Sequence, residues 1–158
     1  MEKETLITAV KTSISEVLEK MFFLPLDFYD TADSGKFPDL DIEKLMSCRL
    51  DFGGPFFGYF LLFIPMRLAQ SMTADFMGEN GSNVSQEQVT ETVKETVNMI
   101  AGNAFSIYDE QAVFNLDIPK MVPPDKAEAE IKASNEDIFI AITTIDDNHL
   151  TVHMVINS

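Results

Sequence analysis

Apolar residues at helical spacing open the chain. Leu6, Val10, Ile14, Val17, Leu18 and Met21 recur every three or four positions, which draws one stripe and predicts a helix over residues 2–22. Pro25 closes it, and the Asp-, Gly- and Pro-rich stretch 26–40 reads as loop. Period-two alternation follows: Met46, Cys48, Leu50 and Phe52 face one way, Ser47, Arg49 and Asp51 the other, as in a half-buried strand. Gly53-Gly54-Pro55 signals a turn before an apolar strand over 57–64. Pro65 suits a helix start, and a helix over 66–77 ends at Gly78. After a polar loop over 79–83, Ser85 and Gln88 have the spacing of a capping box, and a long helix runs from there to about Tyr108. Four further strands are expected over 113–118, 127–133, 137–145 and 149–156, punctuated by Pro119, Pro123-Pro124, Ser134-Asn135-Glu136 and Asp146-Asp147-Asn148.

This order lacks the regular strand–helix–strand crossovers of a parallel sheet. It predicts an α+β fold in two layers: a mostly antiparallel sheet of roughly six strands with three helices, two of them long, packed on one face. Composition narrows the function classes. Lys and Arg number 11 against 26 Asp and Glu, a net charge of −15, which argues against nucleic acid and against anionic lipid as partners. A hydrophobic fraction of 46% supplies a real core. One cysteine rules out an intramolecular disulfide and a thiolate-rich zinc site. The most apolar run, 56–66, falls short of the roughly 20 residues a membrane span needs. The N-terminus has no export signal, so a cytoplasmic protein is expected, and Asn83-Val84-Ser85 reads as a chance glycosylation match.

The long helix carries the candidate chemistry. At about 100° per residue, Val89, Val93, Val97, Ile100 and Ala104 form the core stripe, while Glu91, Glu95, Asn98 and Gly102 fall within about 60° of one another on the opposite side. Glu95 and Asn98, three apart, are neighbours on that ridge. Taken alone, such residues describe any solvated helix face. Gly102 adds something: an interior glycine costs about 1 kcal/mol relative to alanine, and here it points away from the core. A close approach by another protein gives that position a use, although simple tolerance of a weak residue is the plainer account.

Several other candidates read as structural. Cys48 lies on the inward face of its strand. His149 and His153, about 13 Å apart at strand rise, cannot share a metal and are expected as exposed side chains. The nine methionines read as core filler. Asp146-Asp147-Asn148 reads as a hairpin turn, and Asp117 and Asp125 have no visible partner set. Asn103 faces sideways on the helix and could serve either the structure or a partner.

The segment Glu91-Thr-Val-Lys-Glu95-Thr-Val-Asn98-Met-Ile-Ala-Gly102-Asn103 holds the pattern Glu-x-x-Asn, two residues, Ala-Gly-Asn. Downstream stands Pro-x-x-Val at Pro119-Lys120-Met121-Val122. Upstream come Gly54 and Gly58, an apolar strand, and a helix ending in Phe76-Met77-Gly78. Together these resemble the CheC/CheX/FliY family of chemotaxis phosphatases, and most of all its CheX branch. The likeness covers residues 45–122 well and the flanks in outline. It implies a single domain over residues 1–158. It also implies a phosphatase for the aspartyl phosphate of a CheY-like response regulator, with Glu95 and Asn98 as the active pair and Glu91, Gly102 and Asn103 touching the partner. Asn98 would orient the attacking water and Glu95 would meet the receiver's active-site lysine. The chain would have no cofactor of its own, with Mg²⁺ bound by the partner receiver domain, and would form a homodimer. Helix 1 carries Glu16-Val-Leu-Glu19 where CheC-type relatives have a second Glu-x-x-Asn, so one active site per chain is expected. The competing reading is a non-catalytic adaptor on the same fold. A metal or nucleotide enzyme has no motif in its favour.

Overall fold

A computed structural model describes residues 2–29, 42–78, 83–133, 138–144 and 147–157. The first apolar stripe folds as α1 (Lys3–Ser15), which runs on into a π-helical turn at Glu16–Met21. After it come β1 (Leu26–Tyr29), a 3₁₀ turn at Ile42–Lys44, β2 (Leu45–Gly53) and β3 (Phe57–Pro65). Next are α2 (Met66–Met77), α3 (Gln86–Tyr108), β4 (Asn115–Leu116), β5 (Lys120–Val122), α4 (Pro124–Ala133), β6 (Ile138–Thr144) and β7 (His149–Asn157). The loops expected at 30–40 and 79–82, the turn at 134–136 and residue 146 lie outside the described residues.

All strand pairs are antiparallel, in the order β1-β6-β7-β3-β2-β4. β5 also pairs with β2, so seven strands fill six positions across the sheet. α1, α2 and α3 cover one face. Leu6, Val10 and Ile14 of α1, Leu68 and Met72 of α2, and Val89, Val93, Val97 and Ile100 of α3 join Met46, Cys48, Leu50 and Phe52 of β2 in one buried cluster. This is the α+β arrangement that the sequence predicts.

The differences are local. Residues 127–133 form the helix α4 rather than a strand. Their alternation of Ala or Ile with Glu or Lys mimics period two, but only Ala127 and Ile131, four apart, are buried. Pro124 starts the helix, and Glu128 and Lys132 pair at 2.6 Å across one turn. α4 packs on the opposite face of the sheet, against Leu45, Tyr59, Leu61, Phe63 and Val155. The Arg49 guanidinium lies 3.8 Å from the Tyr59 ring centre and reaches Asp51 at 2.7 Å and Glu130 of α4 at 2.8 Å, which ties the helix to this second face. Residues 26–29, expected as loop, pair with β6, and Leu26 and Phe28 rest on the core. The expected strand at 113–118 shrinks to two residues.

His153 is fully buried, not exposed. Its ring sits 5.3 Å from that of Phe63 and 4.8 Å from that of Phe139, and it shares a hydrogen bond of 3.1 Å with Thr151. His149 is half-buried, with Nδ1 2.9 Å from the Thr143 hydroxyl. Cys48 is buried as expected, and burial pushes its thiol up to about 12 against a smaller opposing pull from Lys94. Met46, Met72 and Met154 fill core, whereas Met21, Met66 and Met77 are exposed. Among the described residues no helix is long and apolar enough to cross a membrane.

Two glycines are required by close approach. A Cβ on Gly58 would stand 1.9 Å from the Val155 carbonyl oxygen, where β3 runs beside β7. Gly54, at φ +144°, would bring one within 2.7 Å of the Val113 carbonyl oxygen. Gly53 has nothing within 4 Å. Gly58→Ala should therefore lower unfolding stability by about 2 kcal/mol or more in urea titration, and Gly53→Ala should change it by about 0.5 kcal/mol at most. Equal midpoints for the two variants would contradict the backbone contact.

Candidate functional site

α3 starts where its cap places it. The Ser85 hydroxyl accepts from the Gln88 N–H at 3.1 Å, and the Gln88 side chain accepts from the Ser85 N–H at 2.7 Å. The helix then packs with Val89, Val93, Val97, Ile100, Ala101, Ala104 and Phe105 inward. Thr96 is buried too, because its hydroxyl donates to the Thr92 carbonyl at 2.7 Å and so needs no water.

Both flanks of α3 are held. On one side the Ser13 hydroxyl of α1 donates to the Ile100 carbonyl at 2.6 Å, and the Asn103 amide donates to Glu16 Oε2 at 2.7 Å. On the other side Phe114 stacks on Phe105 with ring centres 4.0 Å apart and planes 8° from parallel. Leu116 Cδ1 lies 3.7 Å from the point that a Gly102 Cβ would occupy. Gly102 is thus half-buried beside its own chain, with room for a methyl group. Gly102 therefore does not stand on an open face: β4, what remains of the strand expected over 113–118, lies beside it.

The structure brings Glu91, Glu95, Asn98 and Gly102 onto one side of α3. Glu91 and Glu95 are exposed; Asn98 and Gly102 are half-buried. Glu91 Oε1 is 3.7 Å from Lys94 Nζ, a loose pair. Neither the Glu95 carboxylate nor the Asn98 carboxamide has a hydrogen-bond or ion-pair partner among the described residues. Side chains three apart on a helix lie about 5–6 Å from each other at Cβ. The pair therefore offers, in one place, an acceptor that is ionised and a group that both accepts and donates. Asn103, by contrast, has its amide engaged with Glu16. Among the described residues no group of three His, Cys, Asp or Glu could hold a metal ion.

The comparisons with known proteins bear on the family and the fold. The sequence model of the family described as "Chemotaxis phosphatase CheX" matches residues 46–143. The chain belongs to the CheX chemotaxis phosphatase family. Its fold is that of the chemotaxis protein CheX from Vibrio vulnificus, at TM-score 0.73 and 18% identity, with 99% of each chain covered. A chemotactic CheC-like protein from Shewanella oneidensis aligns at TM-score 0.70 and 18% identity over 99% of this chain and 100% of that one. CheX in a CheX–CheY–BeF₃–Mg²⁺ complex from Borrelia burgdorferi aligns at TM-score 0.69 and 19% identity over 97% and 98%. No curated protein sequence matches the chain significantly.

The contrast between the two asparagines is measurable. Asn103→Ala should cost about 1 kcal/mol of unfolding stability through the lost bond to Glu16, and Glu16→Ala a similar amount, with no further loss in the double variant. Asn98→Ala should change stability by about 0.5 kcal/mol at most. Additive losses for Asn103 and Glu16 would show that their bond carries no stability.

Proposed function

We propose that the chain hydrolyses the aspartyl phosphate of a CheY-like receiver domain, with Asn98 orienting the attacking water and Glu95 docking on the receiver's active-site lysine. The observation that carries this reading is the carboxamide of Asn98, one turn from the carboxylate of Glu95, neither with a partner among the described residues, on a helix held on both flanks. Family membership and the related CheX–CheY complex support it.

The chemistry needs little from this chain. Water bonds to phosphorus, the bond to the aspartyl oxygen breaks with its electron pair passing to the carboxylate, and the water's proton leaves with the phosphate. An amide accepts one hydrogen bond from the water and donates to a phosphoryl oxygen, so it fixes the line of attack without titrating. The same division of labour holds for the water-orienting glutamine of small GTPases. A carboxylate at Glu95 is better suited to an ammonium partner than to the phosphoryl group, whose charge it would repel. Magnesium belongs to the receiver in this scheme. Glu91 and Gly102 border the pair and lie under the docked partner.

We also read the chain as cytoplasmic and as a homodimer. β1 is terminal in the described sheet and supplies an edge for pairing. Sedimentation should give twice the chain mass at micromolar concentration, and a persistent monomer would remove the dimer from the scheme.

The test of catalysis is phosphate release from a phosphorylated CheY receiver. Asn98→Ala should slow turnover about a hundredfold or more while still binding the receiver loaded with beryllium trifluoride and Mg²⁺. Glu95→Ala should lose affinity as well as rate. If wild-type protein leaves the receiver's own dephosphorylation rate unchanged but still binds it, the adaptor reading replaces the enzyme.

A further inference from the structure

Val113 and Ile118 are each 74% exposed, on a chain whose net charge is −15. They bracket β4, which runs along α3. Going from Phe105 to Gly102 moves back about 4.5 Å along the helix. Going from Phe114 to Leu116, their respective neighbours, advances about 6.6 Å along an extended chain. Past Leu116 the chain keeps beside β2. The Asp117 N–H donates to the Asp51 carbonyl at 2.9 Å, and pairing with β2 resumes at Lys120 opposite Arg49. Two more residues therefore carry Ile118 about 6.6 Å further, or about four helical residues, which brings it level with Asn98. The Ile118 N–H is held by Asp117 Oδ1 at 2.8 Å. Beyond Gly102 opens a groove of about 280 Å³, lined by Gly102, Phe105, Phe114 and Leu116 and by the acidic Asp109 and Glu110.

We infer that Ile118 and Val113 are the apolar contacts on which the phosphorylated receiver docks, and that the groove takes a lysine or arginine side chain from that receiver. The inference rests on the function proposed above and names the surface that selects the partner. A stable complex covers about 800 Å² on each side, a patch about 30 Å across. A receiver that brings its phosphoryl group to Asn98 must then cover Ile118, which is level with that residue, and Gly102, which lies about 6 Å along the helix. An exposed isoleucine there gains by being covered. An apolar floor beside two carboxylates fits an aliphatic stem that ends in a positive charge. The receivers accepted are those with an apolar residue and a basic one beside the phosphorylation pocket.

The experiment is steady-state dephosphorylation together with binding of the beryllium-trifluoride-loaded receiver, using receivers from the same organism. Ile118→Asp should raise KM and weaken binding about tenfold or more, with the loss falling on KM rather than kcat, and Ile118→Val should recover most of it. Asp109→Asn combined with Glu110→Gln should flatten the salt dependence of binding. Ile118 is exposed, so unchanged thermal unfolding confirms that each variant is folded. Wild-type affinity in Ile118→Asp overturns the inference. It does so separately from the catalytic reading, which stands or falls on Asn98→Ala. If no receiver is bound by the wild-type chain, both fall together.

Discussion

Burial of one stripe of α3 against the sheet sets the rotation of that helix about its axis, and every feature of the site follows from that setting. Val89, Val93, Val97, Ile100 and Ala104 are each at most 4% exposed. A turn of one residue, about 100°, would pull part of this stripe into water and drive Asn98 toward the core. The helix is also pinned from the side, by Ser13 of α1 and Glu16 of the π-helical turn and by Phe114 and Leu116 opposite. The water-orienting role proposed for Asn98 calls for this kind of foundation.

The sequence was most readable where a single period persists. α3 is 23 residues long with a two-sided cap, and its inward and outward faces fall where its spacing puts them. β2 and β3 were also plain, since alternation and a long apolar run leave few alternatives. Short elements escaped. β1 and β5 each have four residues or fewer, too few for a period to be distinguished from chance, and the strand expected over 113–118 kept only two of its residues. α4 misled more actively, because alanine at alternate positions copies the look of a strand while only every fourth residue is needed inside.

Residue type and spacing put Glu95 and Asn98 on one side of α3, where the structure has them, but did not give their surroundings. Whether Gly102 faces solvent or a neighbouring segment depends on where residues 113–118 lie. That is fixed by aromatic contacts among Phe52, Phe56, Phe105 and Phe114 and by the lack of a side chain at Gly54. These contacts join parts of the chain that no local pattern connects. The buried His153 teaches the same point on the other face, where aromatic cover replaced the solvent that simple alternation suggested.

The π-helical turn at the end of α1 has its own bearing on the molecule's asymmetry. Glu16 and Glu19 repeat the spacing of Glu95 and Asn98, yet a wider turn fans side chains three apart away from each other around the axis. Glu16 is, moreover, already committed to clasping a neighbouring helix. Placing an amide at position 19 would thus restore the letters of a second Glu-x-x-Asn without the shape that α3 gives the first.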